Sequence, residues 1–274
     1  MTAKAFSPGN VSCIFRVIEN KNPIKKHSLG VGFTVNHGAE VSVKVGKNSI
    51  YFNNKKIKLP TINSVIKKLT DKSIEVRIKS KLPLGAGFGM SGACALATAY
   101  SLGKLLGKKS KKGLAMVAHE AEVENGTGLG DVGGQFNGGF NVKLKRGKPL
   151  SVTRLPIRDK FIYYQFFSKI ETKKIINSKG KKIKINKAGD KSLKNIKKLM
   201  NGRKISLKEI IKISKGFSVD SGLLTDKKVK DLIEKIEAKG GNASMIMLGN
   251  AVFSDIPFAG SKRVKITNKG ACLL

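Results

Sequence analysis

The chain has 274 residues, enough for one large domain or two modest ones with a true core. Its 54 basic residues face only 18 acidic ones, and the resulting +36 is carried mostly by lysines scattered along the whole chain, not gathered into one patch. That scatter, with 6% aromatic residues and no tryptophan, reads as a general lysine bias and disfavours nucleic acid as a partner.

Cys13, Cys94 and Cys272 show no CxxC spacing, which argues against a structural zinc or a disulfide framework and for a reducing interior. The longest uncharged run, Leu82–Gly103, is broken by Pro83 and several glycines and is not read as a membrane span. No signal peptide is read at the N-terminus. The expectation is a soluble cytoplasmic protein.

In chain order, Ala3–Phe6 and Val11–Ile18 read as short strands around a turn at Ser7-Pro8-Gly9-Asn10. A Lys/Asn-rich loop, Glu19–His27, leads through Ser28–Gly32 into a strand at Phe33–Val35. Strands at Ala39–Val45 and Ile50–Lys58 suggest an antiparallel sheet. Pro60–Leu69 reads as a helix with proline in its first turn. An alternating strand, Ser73–Lys79, runs into Pro83–Gly92 and then a buried helix that ends near Gly107. A helix over Lys111–Glu124 gives way to Asn125–Gly134, too rich in glycine for a regular element. Gly138–Leu144 and Leu150–Leu155 form a hairpin, and a domain boundary is placed near Pro156, dividing the chain into 1–157 and 158–274. The second half reads as a strand at Lys160–Phe167, helices at Ser192–Met200, Ser206–Phe217 and Asp226–Lys239, and strands at Ala243–Leu248, Ala251–Asp255 and Arg263–Thr267. Thr225 is taken as the cap of the last helix, and Gly240-Gly241 as its end. The lysine-dense stretch Lys169–Lys187 is taken as mobile surface. The fold class is α+β, with helices layered on antiparallel sheet in the second half.

The stretch Pro83–Gly92 carries the first chemical signal. Its glycines let backbone N–H groups converge, and the helix that follows adds uncompensated donors at its start. Such a cradle suits phosphate. Gly87–Gly92 matches G-x-G-x-x-G, but a dinucleotide site wants an acidic residue about twenty positions on. That position falls in Lys108–Lys112, and no Asp or Glu stands between Glu75 and Glu120. A Walker loop needs a lysine that is absent here, and the HRD and DFG of a protein kinase are absent too. An unliganded tight turn would spend this many glycines without return.

The second signal is acidic. Glu120, Glu122, Glu124 and Asp131 fall close together in a very basic chain. Phosphoryl transfer supplies a reason: one carboxylate helps hold Mg²⁺, and another takes or orients the acceptor's proton. Asp131, in a glycine-rich turn that admits a substrate, is assigned the base role. At least one of the three glutamates reads as a solvated helix face. Ser91 either caps the cradle helix or places its hydroxyl on Mg²⁺, and the two are compatible. His119 fits either a packed core residue or a substrate contact. Cys94 and Met90 read as packing residues.

Three motifs in order resemble the GHMP-type small-molecule kinases. Ser7-Pro8-Gly9-Asn10 resembles the N-terminal PG motif, Pro83–Ala93 the P-x-x-x-G-L-G-S-S-A phosphate loop, and Gly240–Gly249 the third, glycine-rich motif. Asn10 stands where mevalonate-kinase-like members have lysine, and Met90 replaces the first serine of the pair, leaving Ser91 as the hydroxyl for the metal.

The resemblance implies an S5-like N-terminal domain and a ferredoxin-like C-terminal domain with the site between them. It also implies ATP and Mg²⁺, and an ATP site formed by Pro83, Gly85, Ala86, Gly87, Phe88, Gly89, Met90, Ser91 and Gly92. Ala118–Val123, Thr127–Val132 and Ser244–Gly249 with Val252-Phe253 are similar to the archaeal pantoate kinase branch of that family. By that likeness Glu122 is the metal-side carboxylate, with Glu120 as the alternate, and Asp131 is catalytic. Ser28 and His119 would help bind pantoate, and Lys143 falls where an arginine reading its carboxylate is expected; lysine offers a point charge instead of a fork.

The expected activity is ATP-dependent phosphorylation of pantoate to 4-phosphopantoate for coenzyme A synthesis, with a homodimer as one assembly this reading allows. The rivals are a homoserine or mevalonate type of acceptor on the same fold, and a basic S5-like nucleic-acid-binding protein without kinase activity.

Overall fold

The computed structural model describes residues 1–108, 110–157, 160–170, 175, 178–202 and 205–274. Among these, two sheets and seven helices are present. The first sheet is built on two long strands, β1 (Thr2–Ile18) and β2 (His27–Val45), paired antiparallel over their whole length. The outer edge of β2 is shared: its second half pairs with β5 (Ile74–Lys79) and its first half with β6 (Phe140–Lys143). β3 (Ser49–Phe52) joins β5 in parallel and β4 (Lys55–Lys56) antiparallel. Asn53 and Asn54, both with positive φ, make the tight β3–β4 turn. β7 (Thr153–Arg154) completes the hairpin with β6, and β12 (Cys272–Leu273) brings the C-terminus back to β1.

Four helices follow the first sheet: α1 (Pro60–Leu69), α2 (Met90–Leu105), α3 (Lys111–Asn125) and α4 (Asp131–Asn137). α2 is the hub. It is apolar on nearly every side, rich in alanine and buried from Met90 to Gly103, as a helix enclosed by neighbours must be. α3 approaches it closely because Gly103 leaves room for the Leu114 side chain; a Cβ there would lie 2.3 Å from Leu114 Cδ1.

The second sheet, in order β11-β8-β10-β9, is antiparallel, with β8 (Phe161–Ser168), β9 (Ala243–Met245), β10 (Asn250–Ser254) and β11 (Lys262–Lys265). Three helices accompany it: α5 (Lys179–Gly202), α6 (Leu207–Asp220) and α7 (Lys227–Glu237). Ring contacts join the halves: Phe33 meets Phe253 at 5.9 Å, and Phe15 meets Phe217 edge-on at 5.5 Å.

Several elements depart from what the sequence suggests. Ser7–Asn10 is no turn; β1 runs straight through it, with register shifts between Pro8 and Gly9 and between Ser12 and Ile14. A bulge accommodates the N–H that Pro8 lacks, so proline and glycine mark an irregular ladder, not a reversal. The strands read at Phe33–Val35 and Ala39–Val45 are one strand for the same reason. The sheet is not purely antiparallel, because α1 carries the chain from β4 across to β5. Asn125–Gly134 is not wholly irregular: α4 starts at Asp131, and Gly133 and Gly134 let the Pro149 carbonyl and the Asn10 side chain come close.

Residues 179–187 are helical, not loose surface. Ile185 and Ala188 are buried, and the Asn186 side chain bonds both backbone groups of Val17. Residues 171–174 and 176–177 of that lysine-dense stretch, like Lys109 and Arg158-Asp159 at the placed boundary, lie outside the described residues. Asp226, not Thr225, caps α7, its carboxylate accepting from Val229 N–H at 3.3 Å. No helix among the described residues is long and apolar enough to cross a membrane.

Candidate active site

β5 delivers the chain to the glycine loop, where Gly85, Gly87 and Gly89 take φ of +78°, +84° and +57°. Side chains rarely tolerate that region, so glycine is needed for the path itself. Gly89 is the residue before α2, no side chain caps the helix, and the first intrahelical bond is Ala93 N–H to the Gly89 carbonyl at 3.0 Å. The N–H groups of Met90, Ser91 and Gly92 are therefore left for a ligand.

The loop is held from three sides. Asn10 N–H donates to the Phe88 carbonyl at 2.8 Å, and Gln135 Nε2 donates to the Gly89 carbonyl at 2.8 Å. Phe88 is fully buried, edge-on to Tyr164 of β8 at 4.8 Å. Residues 246–249 lie back to back with the loop, and a Cβ on Gly249 would be 2.3 Å from the Ala86 carbonyl carbon. In front of the loop opens a cleft lined by Ser12, Ser28, Ser91, Asp131 and Leu248.

One carboxylate, Asp131, lines the cleft, and a second, Glu122, lies behind Ser91, Thr127 and Gly128. Glu122, on the inward face of α3, is 1% exposed. Its Oε1 accepts from Ser91 Oγ at 2.5 Å and from Thr127 Oγ1 at 2.6 Å, and Thr61 Oγ1 stands 3.1 Å behind Thr127. Its Oε2 is buried without a hydrogen-bond partner. Desolvation pushes the Glu122 carboxyl up to about 7, opposed by the Ser91 and Thr127 bonds and reinforced by the charge of Asp131. Asp131 opens α4; its Oδ1 accepts from Asn10 Nδ2 at 2.8 Å and from Ser12 Oγ at 3.4 Å. Burial raises its pKa above the ordinary aspartate value against those two bonds.

Glu120 and Glu124 are placed elsewhere. Both face Lys68 of α1, at 3.3 and 2.8 Å, on the outer side of α3. The structure brings Glu122 to Ser91 and leaves Glu120 out of that group. Helical spacing separates Glu120 from Glu122 by two residues, which puts them on different faces.

Beyond Asp131 the cleft continues into a smaller hollow over β1, β2 and β6, bordered by Asn10, Ser12, Ser28 and Lys143. Ser28 N–H donates to the Leu129 carbonyl at 3.2 Å, and Gly130 is required beside it, since a Cβ there would lie 2.4 Å from Ser28 Oγ. Lys143 Nζ donates to the carbonyls of Lys148 and Pro149, both at 2.8 Å. Its burial brings the ammonium down to about 8. His119 is buried, with Nε2 2.9 Å from the Lys26 carbonyl, and desolvation lowers it to about 4. It borders neither hollow and sits behind the segment that presents Ser28.

Ser12, Thr61 and Thr127 are partners that sequence reasoning missed. Ser12 had one available signal, its i+2 spacing from Asn10 on a strand, and Thr127 another, its place inside the glycine stretch.

The donor set fits a hard divalent cation. A Cβ on Gly128 would lie 2.3 Å from Glu122 Oε2 and 3.2 Å from Asp131 Oδ2, so the two unengaged carboxylate oxygens face one small space that glycine keeps open. The Glu122 carboxylate with the Ser91 hydroxyl is an oxygen-only donor set that suits Mg²⁺, which retains waters and takes the rest of its ligands from substrate phosphate. Among the described residues no group of three or more His, Cys, Asp or Glu could hold a metal alone.

Residues 57–139 match the family model "GHMP kinases N terminal domain". Along nearly its whole length the chain is similar to the pantoate kinase of Methanocaldococcus jannaschii, with 34% identity over 90% of each chain. Its identity to the pantoate kinase of Thermococcus kodakarensis is 29%, over 93% of this chain and 87% of that protein. Among solved structures, a phosphotransferase related to the CoA biosynthesis pathway superposes with a TM-score of 0.85 at 24% identity, covering 100% of this chain and 98% of that one. A homoserine kinase from Cytophaga hutchinsonii gives 0.67 at 21% identity, over 100% and 97%.

Proposed function

The chain belongs to the pantoate kinases, within the GHMP kinases, and from that membership we propose that it phosphorylates the primary hydroxyl of pantoate with ATP, giving 4-phosphopantoate for coenzyme A synthesis. The observation that supports this best is the convergence at one cleft of an uncapped helix start with the free oxygens of Glu122 and Asp131.

In this reading the glycine loop and the first N–H groups of α2 receive the triphosphate. Ser91 and Glu122, with Thr127 steadying the carboxylate, are the groups that would hold Mg²⁺, whose chemistry there is neutralisation of charge on the transferring phosphoryl group. Asp131 accepts the proton of the attacking hydroxyl through its free Oδ2. The hollow beside it takes the acceptor: Ser28 offers a hydroxyl, and Lys143, fixed by two carbonyls, offers a charge to the pantoate carboxylate. His119 supports the segment that carries Ser28. The work is positioning and charge stabilisation. We place the division between the two domains near residue 157, and the enzyme in the cytoplasm.

Coupled ATP-consumption assays with pantoate, homoserine and mevalonate test the acceptor, with ³¹P NMR of the product. Turnover should be robust with pantoate alone; turnover of either alternative and none of pantoate would overturn the assignment. Asp131→Asn should lower kcat by about 10²–10⁴-fold, and near-full activity would remove Asp131 from the base role. Because burial raises Asp131, the acid limb of kcat should lie above the ordinary aspartate range.

A further inference from the structure

Asn10 is a buried polar residue at the centre of β1 whose two ends reach different parts of the site. Its backbone N–H donates to the Phe88 carbonyl at 2.8 Å, inside the glycine loop. Its side-chain Nδ2 donates to Asp131 Oδ1 at 2.8 Å and stands 3.4 Å from Ser12 Oγ, which also reaches Asp131 Oδ1 at 3.4 Å. Among the described residues Gln135 also holds the loop, at the Gly89 carbonyl, but makes no hydrogen bond to Asp131. The amide of Asn10 is admitted by Gly134 of α4: a Cβ there would lie 2.5 Å from Asn10 Oδ1 and 3.1 Å from its Cγ.

We propose that Asn10 is a positioning residue that ties the phosphate loop to Asp131, using a neutral donor, with Gly134 as the opening that lets its amide in. The geometry has a direct consequence. With Oδ1 engaged by Asn10 and Ser12, the carboxylate cannot turn about its Cβ–Cγ bond, and Oδ2 is the oxygen left facing the space shared with Glu122 Oε2. A neutral amide orients the carboxylate without adding a cation beside a base that must take up a proton. Because the same residue is bonded to Phe88, a displacement of the loop is passed to the orientation of Asp131 through one side chain of a rigid strand.

The proposal rests on the kinase reading above, and its test separates the two. Asn10→Ala and the isosteric Asn10→Asp are compared with the wild-type enzyme for kcat and KM with pantoate, for the pH profile of kcat, and for binding of a fluorescent ATP analogue. Both variants should lose about 10–100-fold in kcat, within the range of a mispositioned proton acceptor, while nucleotide affinity changes by less than about threefold. The acid limb of kcat should move to higher pH in both, and furthest in Asn10→Asp, where a second carboxylate faces Asp131. Gly134→Ala should show the same split by displacing the amide.

Wild-type kcat and an unmoved acid limb in Asn10→Ala and Asn10→Asp would overturn the proposal. An equal loss of nucleotide affinity would overturn it as well, by making Asn10 a loop-folding residue. Absence of pantoate turnover in the wild-type enzyme would instead overturn the kinase reading. Thermal melting of each variant separates misfolding from mispositioning; both keep the backbone bond to Phe88, and Asn10→Asp, which also keeps the shape of the side chain, reports even where Asn10→Ala unfolds.

Discussion

Glu122 shows what a single side chain can cost and return. Its carboxyl, ordinarily near 4.5, sits at about 7 because burial penalises its charged form. A carboxyl raised in the folded state attaches stability that is complete below its unfolded value and lost as pH rises through the folded one. The ligand-free protein is thus destabilised by Glu122 above about pH 7, and the loss has the sign a cation would reverse. Glu122→Gln, which still accepts from Ser91 and Thr127, should melt close to wild type at pH 5 and above it at pH 8, by on the order of 1–3 kcal/mol. Its kinase activity should be lost at both. Differential scanning calorimetry at the two pH values checks the first statement, and a wild type that is the more stable at pH 8 would refute it. The acidic cluster that holds Glu122 and Asp131 was legible in the sequence because acids are rare in so basic a chain, and Ser91 because it stands at the end of the glycine loop. Glu120 was not separable from Glu122 there, since only packing tells which face of α3 turns inward.

At the scale of elements, the glycine loop and the 246–249 segment form one unit though they are distant in sequence. Gly249 meets Ala86 so closely that any side chain must part them, and Leu248 beside it is held at φ +63°. Gly249→Ala should cost about 1–3 kcal/mol in stability through overpacking and weaken nucleotide binding, measured by thermal melting with and without an ATP analogue. Unchanged affinity would mean the segment is only a neighbour of the loop. The capping box at Ser206 and Glu209 is a control far from the cleft: Ser206→Ala should cost about 1 kcal/mol and leave kcat and KM unchanged. Helices were the more legible elements, because their periodicity and caps are local. Strand ends and the bulge at Pro8 were not, because a proline and glycine pair marks a turn and a broken ladder equally well.

For the whole molecule, the charge of +36 is a property of the surface, while of the two carboxylates at the site Glu122 is enclosed and Asp131 borders the cleft. Ion pairs such as Lys191–Asp220 and Lys215–Glu237 engage a few of the lysines. The larger number face like charges, so self-repulsion should dominate the response to salt. The melting temperature should rise as the screening length falls from about 10 Å at 0.1 M salt to about 3 Å at 1 M. A fall would show that attractive pairs outweigh the surplus. β1 joins the two halves, since α5 and α6 pack against its C-terminal part and β12 pairs near its start.

The sequence by itself determined the class of the protein. Glycine placement, the absence of the lysine and acid that other phosphate loops need, and an acidic cluster in a basic chain are one-dimensional facts with local physical causes. Tertiary structure alone decided which oxygens meet. Ser91 with Glu122, Asn10 with Asp131, and the space between Glu122 and Asp131 kept open by Gly128 each join residues on different elements. Such meetings depend on helix rotation, strand register and close packing, and those are fixed only when the apolar faces of α2, α3 and the two sheets are buried together.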